Sequence, residues 1–243
     1  MNLIVDVGNT RVKAAVFELN TLKKVFVFKE EEIVLEIEKI IKIFSISGAI
    51  VSSVANLSVK TIAEITYLLN PIYLNSKIKV PFLNKYQTPA TLGVDRIALA
   101  AAATDKYPNK NVLVIDAGTC ITFDFINSEK EYLGGAISLG VVMRYKALHD
   151  YTSKLPLLKK EEISNFIGAN TSSSIHSGVV NGICNEIDGV ISQYQKKYTD
   201  LTVVLTGGDT IFLAKQLKSS IFANPNFVLE GLHTVLTYNL TND

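Results

Sequence analysis

The chain has 243 residues, 48% of them hydrophobic, and a formal net charge of +1. That supports one large domain or two modest ones, offers no basic tract for nucleic acid, and contains no apolar run near the ~20 residues of a membrane helix. Cys120 and Cys184 sit in unrelated contexts, which argues against a disulfide framework or a zinc site, and the strand-like N-terminus lacks the basic start and apolar core of a signal peptide, so a cytoplasmic protein with no membrane partner is expected.

The opening LIVDVGNTRVKAAVF, residues 3 to 17, reads as two strands around a turn. A third strand is expected over 22–29. Residues 30 to 44 place Ile33, Ile37, Ile40, Ile41 and Phe44 at helical spacing, with charges between them as a solvated face. A short strand follows at 48–54, then a helix over about 58–69 that Pro71 brings to a stop. After a short strand at 72–74, an alanine-rich helix is expected from about Leu92 to Tyr107, with the loop PNKN at 108–111. The pattern then restarts. Strands are expected at 112–116, 120–126 and 131–138, helices at 140–152 and 173–198, a strand at 201–205, a helix at 209–217, a strand near 227–229 and a helix to about 239. Each half is three strands followed by alternating helices and strands, an α/β arrangement with mixed sheets. The expected division is a lobe over 1–109 and a second over 110–243.

The halves also share a motif. Residues 113 to 126 read LVIDAGTCITFDFI, and aligning the aspartates puts Asp6 on Asp116 and Gly8 on Gly118, 110 positions apart. One Asp-x-Gly turn between strands is an ordinary hairpin, since Asp, Asn, Gly and Thr are common in turns. Two of them imply more. Glycine lets a polyphosphate approach the backbone, and turn N–H groups with Asn9, Thr10, Thr119 or Thr122 can donate to phosphate oxygens, with Lys13 as a point charge. Carboxylates cannot face phosphate without an intervening cation, so the pair implies nucleotide plus metal. In TLGVDRIALAAA, residues 91 to 102, Asp95 and Arg96 fall in the first turn of a helix. An acid is favoured there; an arginine is not, and needs a partner such as an anionic substrate. LTGGD, 205 to 209, ends a strand and is either a simple turn or a backbone surface for a flat ligand. Arginine is scarce, only Arg11, Arg96 and Arg144 against 21 lysines, so those kept are candidates for a planar bidentate grip. The three histidines show no metal-ligand spacing and are read as packing or surface.

Taken together, DVGNTRVK (6–13), GVDR (93–96), DAGTCITFD (116–124), GGAIS (134–138), NTSSSIHSG (170–178) and LTGGD (205–209) resemble type III pantothenate kinase. The resemblance implies two ribonuclease-H-like lobes of the actin-like ATPase superfamily with mixed sheets. It implies ATP-dependent phosphorylation of pantothenate, the first step toward coenzyme A, by a homodimer that uses Mg²⁺ and a monovalent cation, K⁺ or NH₄⁺. By matching position, Asp6, Val7, Gly8, Asn9, Thr10, Arg11, Val12, Lys13 and Thr119 contact ATP. Asp116 binds the monovalent cation. Tyr86, Gly93, Val94, Asp95, Arg96 and Thr171 bind pantothenate, and Asp95 is the proton acceptor. The long helix at 173–198, with Ile175, Val179, Ile183, Ile187 and Ile191 in one stripe, has surface enough for both the core and a partner subunit. Cys120 and Leu139 stand where the family usually has a small residue and a proline. Two alternatives stay open: a superfamily kinase for a sugar or acid, and an inactive regulatory relative of the transcription-accessory type.

Overall fold

The computed structural model describes residues 1–241. The elements, in order, are β1 (Asn2–Val7), β2 (Val12–Glu18), β3 (Thr21–Phe28), α1 (Ile33–Ile43), β4 (Gly48–Ser53), α2 (Val59–Leu69), β5 (Ile72–Tyr73), β6 (Leu83–Asn84), α3 (Val94–Lys106), β7 (Asn111–Ala117), β8 (Cys120–Ile126), β9 (Glu131–Leu139), α4 (Val141–Asp150), α5 (Thr171–Lys197), β10 (Leu201–Thr206), α6 (Thr210–Ala214), β11 (Phe222–Ala223) and α7 (Phe227–Thr241). They pack as two compact units. The first holds residues 1–108, 130–132 and α7; the second holds residues 109–129 and 133–226.

In the first unit the strand order is β3-β2-β1-β4-β5. The chain makes an antiparallel meander of β1, β2 and β3, then crosses over through α1 to lay β4 parallel to β1. Alternation along the strands sends Leu3, Val5, Val7, Val12, Ala14 and Val16 to one face, where they meet the α1 stripe of Ile33, Ile37 and Ile40. The opposite face of β1 and β4 is covered by α7, and α7 lies along α3. Helix α3 can lie that close because five of the seven residues 97 to 103 are alanine, and all seven are buried. The second unit repeats the plan. Its strands run β9-β8-β7-β10-β11, with β10 parallel to β7. Strand β6 pairs in parallel only with Glu131 and Tyr132, which pack with the first unit.

Most sequence-predicted elements stand within a residue or two of their expected ends. The strand expected near 227–229 does not form. Phe227, Leu229, Leu232, Val235 and Leu236 are all buried at helical spacing, and the turn at 224–226, with Asn226 N–H donating to Asn224 Oδ1, starts the helix at once. The last strand is instead Phe222–Ala223. The α5 stripe packs inside its own unit: Ile175, Val179, Ile183, Ile187 and Ile191 all lie in the core against β7, β8 and β10. That stripe therefore supplies no surface for a partner.

Candidate active site

Both strand pairs that carry an Asp-x-Gly turn end at the carboxyl side of their sheets, the edge where ligands of open α/β sheets bind. In the first unit, Asp6 is the cross-strand partner of Lys13 on β2 and of Ser52 on β4. Register partners share a face, so Lys13, Asp6 and Ser52 form one row. In the second unit, Asp116 partners Thr122 on β8 and Thr206 on β10, giving the row Thr122, Asp116, Thr206. The duplication visible at the two aspartates thus extends to their neighbours. In both rows the hydroxyl on the parallel strand, Ser52 Oγ and Thr206 Oγ1, is buried with no protein hydrogen-bond partner. Such a group ordinarily costs about 1–3 kcal/mol, and both lie beside a candidate ligand-binding carboxylate. The sequence repeat, followed one strand further in each half, carried the signal for these two residues.

Asp6 is a strongly perturbed acid. Burial pushes its carboxyl up to about 6; Lys13 opposes the shift and Asp95 adds to it. The structure therefore brings Asp6, Lys13 and Asp95 together, although 82 positions separate Lys13 from Asp95. Gly93 is the N-cap of α3 and has no capping side chain. The carboxylate of Asp95 folds back over it: a β-carbon on Gly93 would stand 2.4 Å from Asp95 Oδ1, which also accepts a hydrogen bond of 2.9 Å from Arg96 N–H. One oxygen is fixed by the helix amide, and this sets the plane of the other. Val94 follows at the first helical position, half-buried.

Arg96 is 5% exposed. Its guanidinium carbon stands 5.6 Å from the ring centre of Tyr86 and 6.0 Å from that of Tyr132. The charge that looked electrostatically wrong for a helix start thus has two aromatic faces beneath it. Tyr86 was predicted; Tyr132 was not. In the 6–13 turn, Gly8 N–H donates to Arg11 carbonyl at 3.2 Å, and Asn9, Thr10 and Arg11 are exposed while Val7 and Val12 anchor the ends in the core.

In the second unit, three segments meet at Asp116. Gly118 N–H closes the turn on Cys120 carbonyl, Gly140 N–H at the start of α4 donates to Thr119 carbonyl, and Asp209 N–H donates to Ala117 carbonyl. Gly207 has φ +96°, and a β-carbon there would lie 2.3 Å from Asp116 Oδ1 and 2.4 Å from Ala117 carbonyl oxygen. Its glycine is required by the Asp116 turn itself. Thr119 is exposed at the tip of that turn, and Thr171 is exposed at the first position of α5, after the Asn170 cap. Cys120 Sγ rests 3.9 Å from Met143 Sδ. Arg144 uses its planar fork structurally, donating to Leu139 carbonyl, Ser138 Oγ and Glu186. A lysine could not span these three acceptors. The histidines are engaged in packing: His233 stacks on Phe17, His176 meets Tyr145 hydroxyl and His149 meets Leu155 carbonyl. A cavity of about 310 Å³ lined by Ile41, Phe44, Ile46 and Leu69 opens near the start of β4, the far end from Ser52, and touches none of the predicted residues.

These contacts separate two glycines. At Gly93 the obstacle is the end of a rotatable carboxylate, and φ is −57°. Gly93→Ala is expected to leave thermal unfolding nearly unchanged while turning Asp95 aside. At Gly207 the obstacle includes backbone and φ is positive, so Gly207→Ala should lower stability by about 1–3 kcal/mol. Calorimetric unfolding of the two variants distinguishes them; equal losses would contradict the geometry.

The family model of type III pantothenate kinases matches residues 2–193. A type III pantothenate kinase from Flavobacterium johnsoniae is 49% identical over 244 aligned residues, covering all of both chains. Among solved structures, one from Campylobacter jejuni assigned to the Baf family of transcriptional activators superposes with a TM-score of 0.64 at 22% identity, over 98% of this chain and 99% of that one. The ethanolamine utilization protein EutJ of Carboxydothermus hydrogenoformans superposes with a TM-score of 0.54 at 12% identity, over 96% and 88%. The two structures share the fold. The length and level of the sequence match go further, and this chain belongs to the type III pantothenate kinase family.

Proposed function

We propose that the protein transfers the γ-phosphoryl group of ATP to the primary hydroxyl of pantothenate, forming 4′-phosphopantothenate in the first step of coenzyme A synthesis. The observation that carries this reading is the cluster of Asp6, Lys13 and Asp95, with Arg96 one residue on. It supplies a phosphate-facing turn, a candidate base and a carboxylate-binding cation.

Each residue has a task. Asp6, Val7, Gly8, Asn9, Thr10, Arg11, Val12 and Lys13 present the first turn to ATP, and Thr119 does so from the second. Asp95 orients the hydroxyl of pantothenate and accepts its proton on the oxygen that Arg96 N–H does not engage. The transition state of phosphoryl transfer is loose, so such positioning and electrostatics dominate. Arg96 takes the carboxylate of pantothenate, with Tyr86, Gly93, Val94 and Thr171 completing the contacts. The two lobes are read as 1–109 and 110–243, with α7 folding back onto the first.

The residues fit the cations. Asp6, whose pKa is raised mainly by burial and further by Asp95, forms with that second carboxylate a pair matched by a divalent ion that takes one or two carboxylates plus phosphate oxygens. No cluster of three or more His, Cys, Asp or Glu that could hold a metal is found among the described residues. Mg²⁺, when bound, neutralises charge on the phosphates. Asp116, enclosed by the turn and Gly207, suits K⁺ or NH₄⁺. A homodimer is part of the reading. Leu133, Ile137, Leu139 and Val142 expose apolar side chains along β9 and the start of α4, surface that a second copy would cover.

The test is a coupled ATPase assay with and without pantothenate, in Mg²⁺ buffer, comparing K⁺ or NH₄⁺ with a bulky organic cation. Turnover should need both pantothenate and the small cation. Asp95→Asn should lower kcat by ~10²–10⁴-fold with folding and ATP binding nearly unchanged. Gly93→Ala should lower kcat in the same direction. Arg96→Lys should act mainly on KM for pantothenate. Pantothenate-independent turnover, or an Asp95→Asn variant keeping more than about a tenth of wild-type kcat, would contradict the assignment.

A further inference from the structure

Tyr132 has no place in the reading above, yet it is wholly buried and stands at the centre of the contacts around Arg96. Its ring centre is 6.0 Å from the Arg96 guanidinium carbon, 6.1 Å from the ring centre of Tyr86 and 6.0 Å from that of Phe82. The backbone ties the same group together. Tyr132 is the register partner of Asn84, Lys85 N–H donates to Tyr132 carbonyl at 3.0 Å, and Leu83 N–H donates to Lys130 carbonyl at 2.8 Å. Lys85 Nζ pairs with Glu131 at 3.3 Å. Asn84 Oδ1 in turn accepts from Tyr86 N–H at 2.9 Å, closing the short turn that aims Tyr86. One residue therefore touches the guanidinium directly and fixes, through β6, the segment that brings the second ring to it.

We infer that Tyr132 is a positioning residue for pantothenate recognition: its ring face holds the Arg96 guanidinium, and its strand pairing holds Tyr86, in the arrangement that receives the substrate carboxylate. The inference rests on the reading of Arg96 as the carboxylate-binding group. Its physical basis is twofold. A guanidinium withdrawn from water needs electrostatic compensation that does not consume its N–H donors. An aromatic face gives that compensation through the ring quadrupole without itself accepting an N–H, as a carboxylate would. A carboxylate in place of the ring would compete with the substrate for those same donors. A leucine would give no compensation and would leave the side chain loose over an apolar floor.

The experiment varies the ring electronics at nearly constant volume. Tyr132 is replaced by phenylalanine, by 3,4,5-trifluorophenylalanine and by leucine, and each variant is assayed for kcat, for KM of pantothenate and of ATP, and for thermal unfolding. Tyr132→Phe keeps the face and should restore wild-type KM. The trifluoro ring withdraws charge from the face and should raise KM for pantothenate roughly tenfold, in line with a desolvated cation–π contact. Tyr132→Leu should raise it at least as far. In both, kcat and KM for ATP should stay within about twofold, a shift well below the cation–π range. Phe82→Leu is the control, since Phe82 touches Tyr132 and a role confined to packing would lower stability in that variant and in Tyr132→Leu alike without moving KM. Should Tyr132→Leu not fold, the phenylalanine and trifluoro variants alone decide. Arg96→Lys is measured alongside. If it raises KM for pantothenate while the trifluoro ring does not, the inference on Tyr132 is overturned and the reading of Arg96 stands. If Arg96→Lys leaves that KM unchanged, the reading of Arg96 fails and the inference falls with it.

Discussion

The rest of the structure depends on keeping an aspartate at the carboxyl end of β1 largely out of water beside a second carboxylate. Ionised Asp6 is penalised by burial and by Asp95, and Lys13 offsets only part of this. In stability terms the sign is unfavourable at neutral pH. An acid whose folded pKa lies near 6, against about 4 unfolded, stabilises the fold below pH ~4 and loses that contribution as pH rises to about 6. A protein selected only for stability would carry asparagine here. The crowding makes sense when a cation and phosphate complete the charge balance, which is the argument for reading this edge as a phosphate clamp.

The scaffold is arranged to hold that edge. The core of the first unit fixes β1 through Leu3, Val5 and Val7, so Asp6 has no freedom to move away. Helix α3 is alanine-rich because it must run close to α7, and its first turn then delivers Asp95 and Arg96 beside β1. The second unit is built on the same strand order, and Asp116 occupies the equivalent row. The three aspartates differ in what constrains them. Asp95 and Asp6 are held by side-chain and helix-end geometry, whereas Asp116 is enclosed by the Gly207 backbone, which adopts a left-handed conformation to reach it.

Much of this was legible in the sequence, because the signals were local. Strand alternation, the helical stripes and the repeated Asp-x-Gly turns each depend on residues within a few positions of one another. Three features were not legible. The apolar FVL at 227–229 fits a buried strand or a buried helix equally, and only the tertiary face of α7 decides between them. The α5 stripe gives no sign of whether its partner is the same chain or another; the core of its own unit takes all of it. One of the aromatic contacts of Arg96 comes from Tyr132, 36 positions away, beside a two-residue parallel pairing too short to announce itself. LTGGD likewise stayed open between a simple turn and a ligand surface, because Gly207 lies against an aspartate on a different strand.

The most direct measurement is the titration of the Asp6 carboxyl carbon by NMR, in the protein alone and with a non-hydrolysable ATP analogue and Mg²⁺. The account predicts a midpoint of about 6 in the free protein. It predicts a fall below the ordinary carboxylate value of about 4 once the nucleotide and its cation are bound, with protons released on binding near pH 5. A midpoint near 4 in the free protein, or one that the nucleotide leaves unmoved, would contradict the claim that this edge of the sheet is built for a cation–phosphate pair.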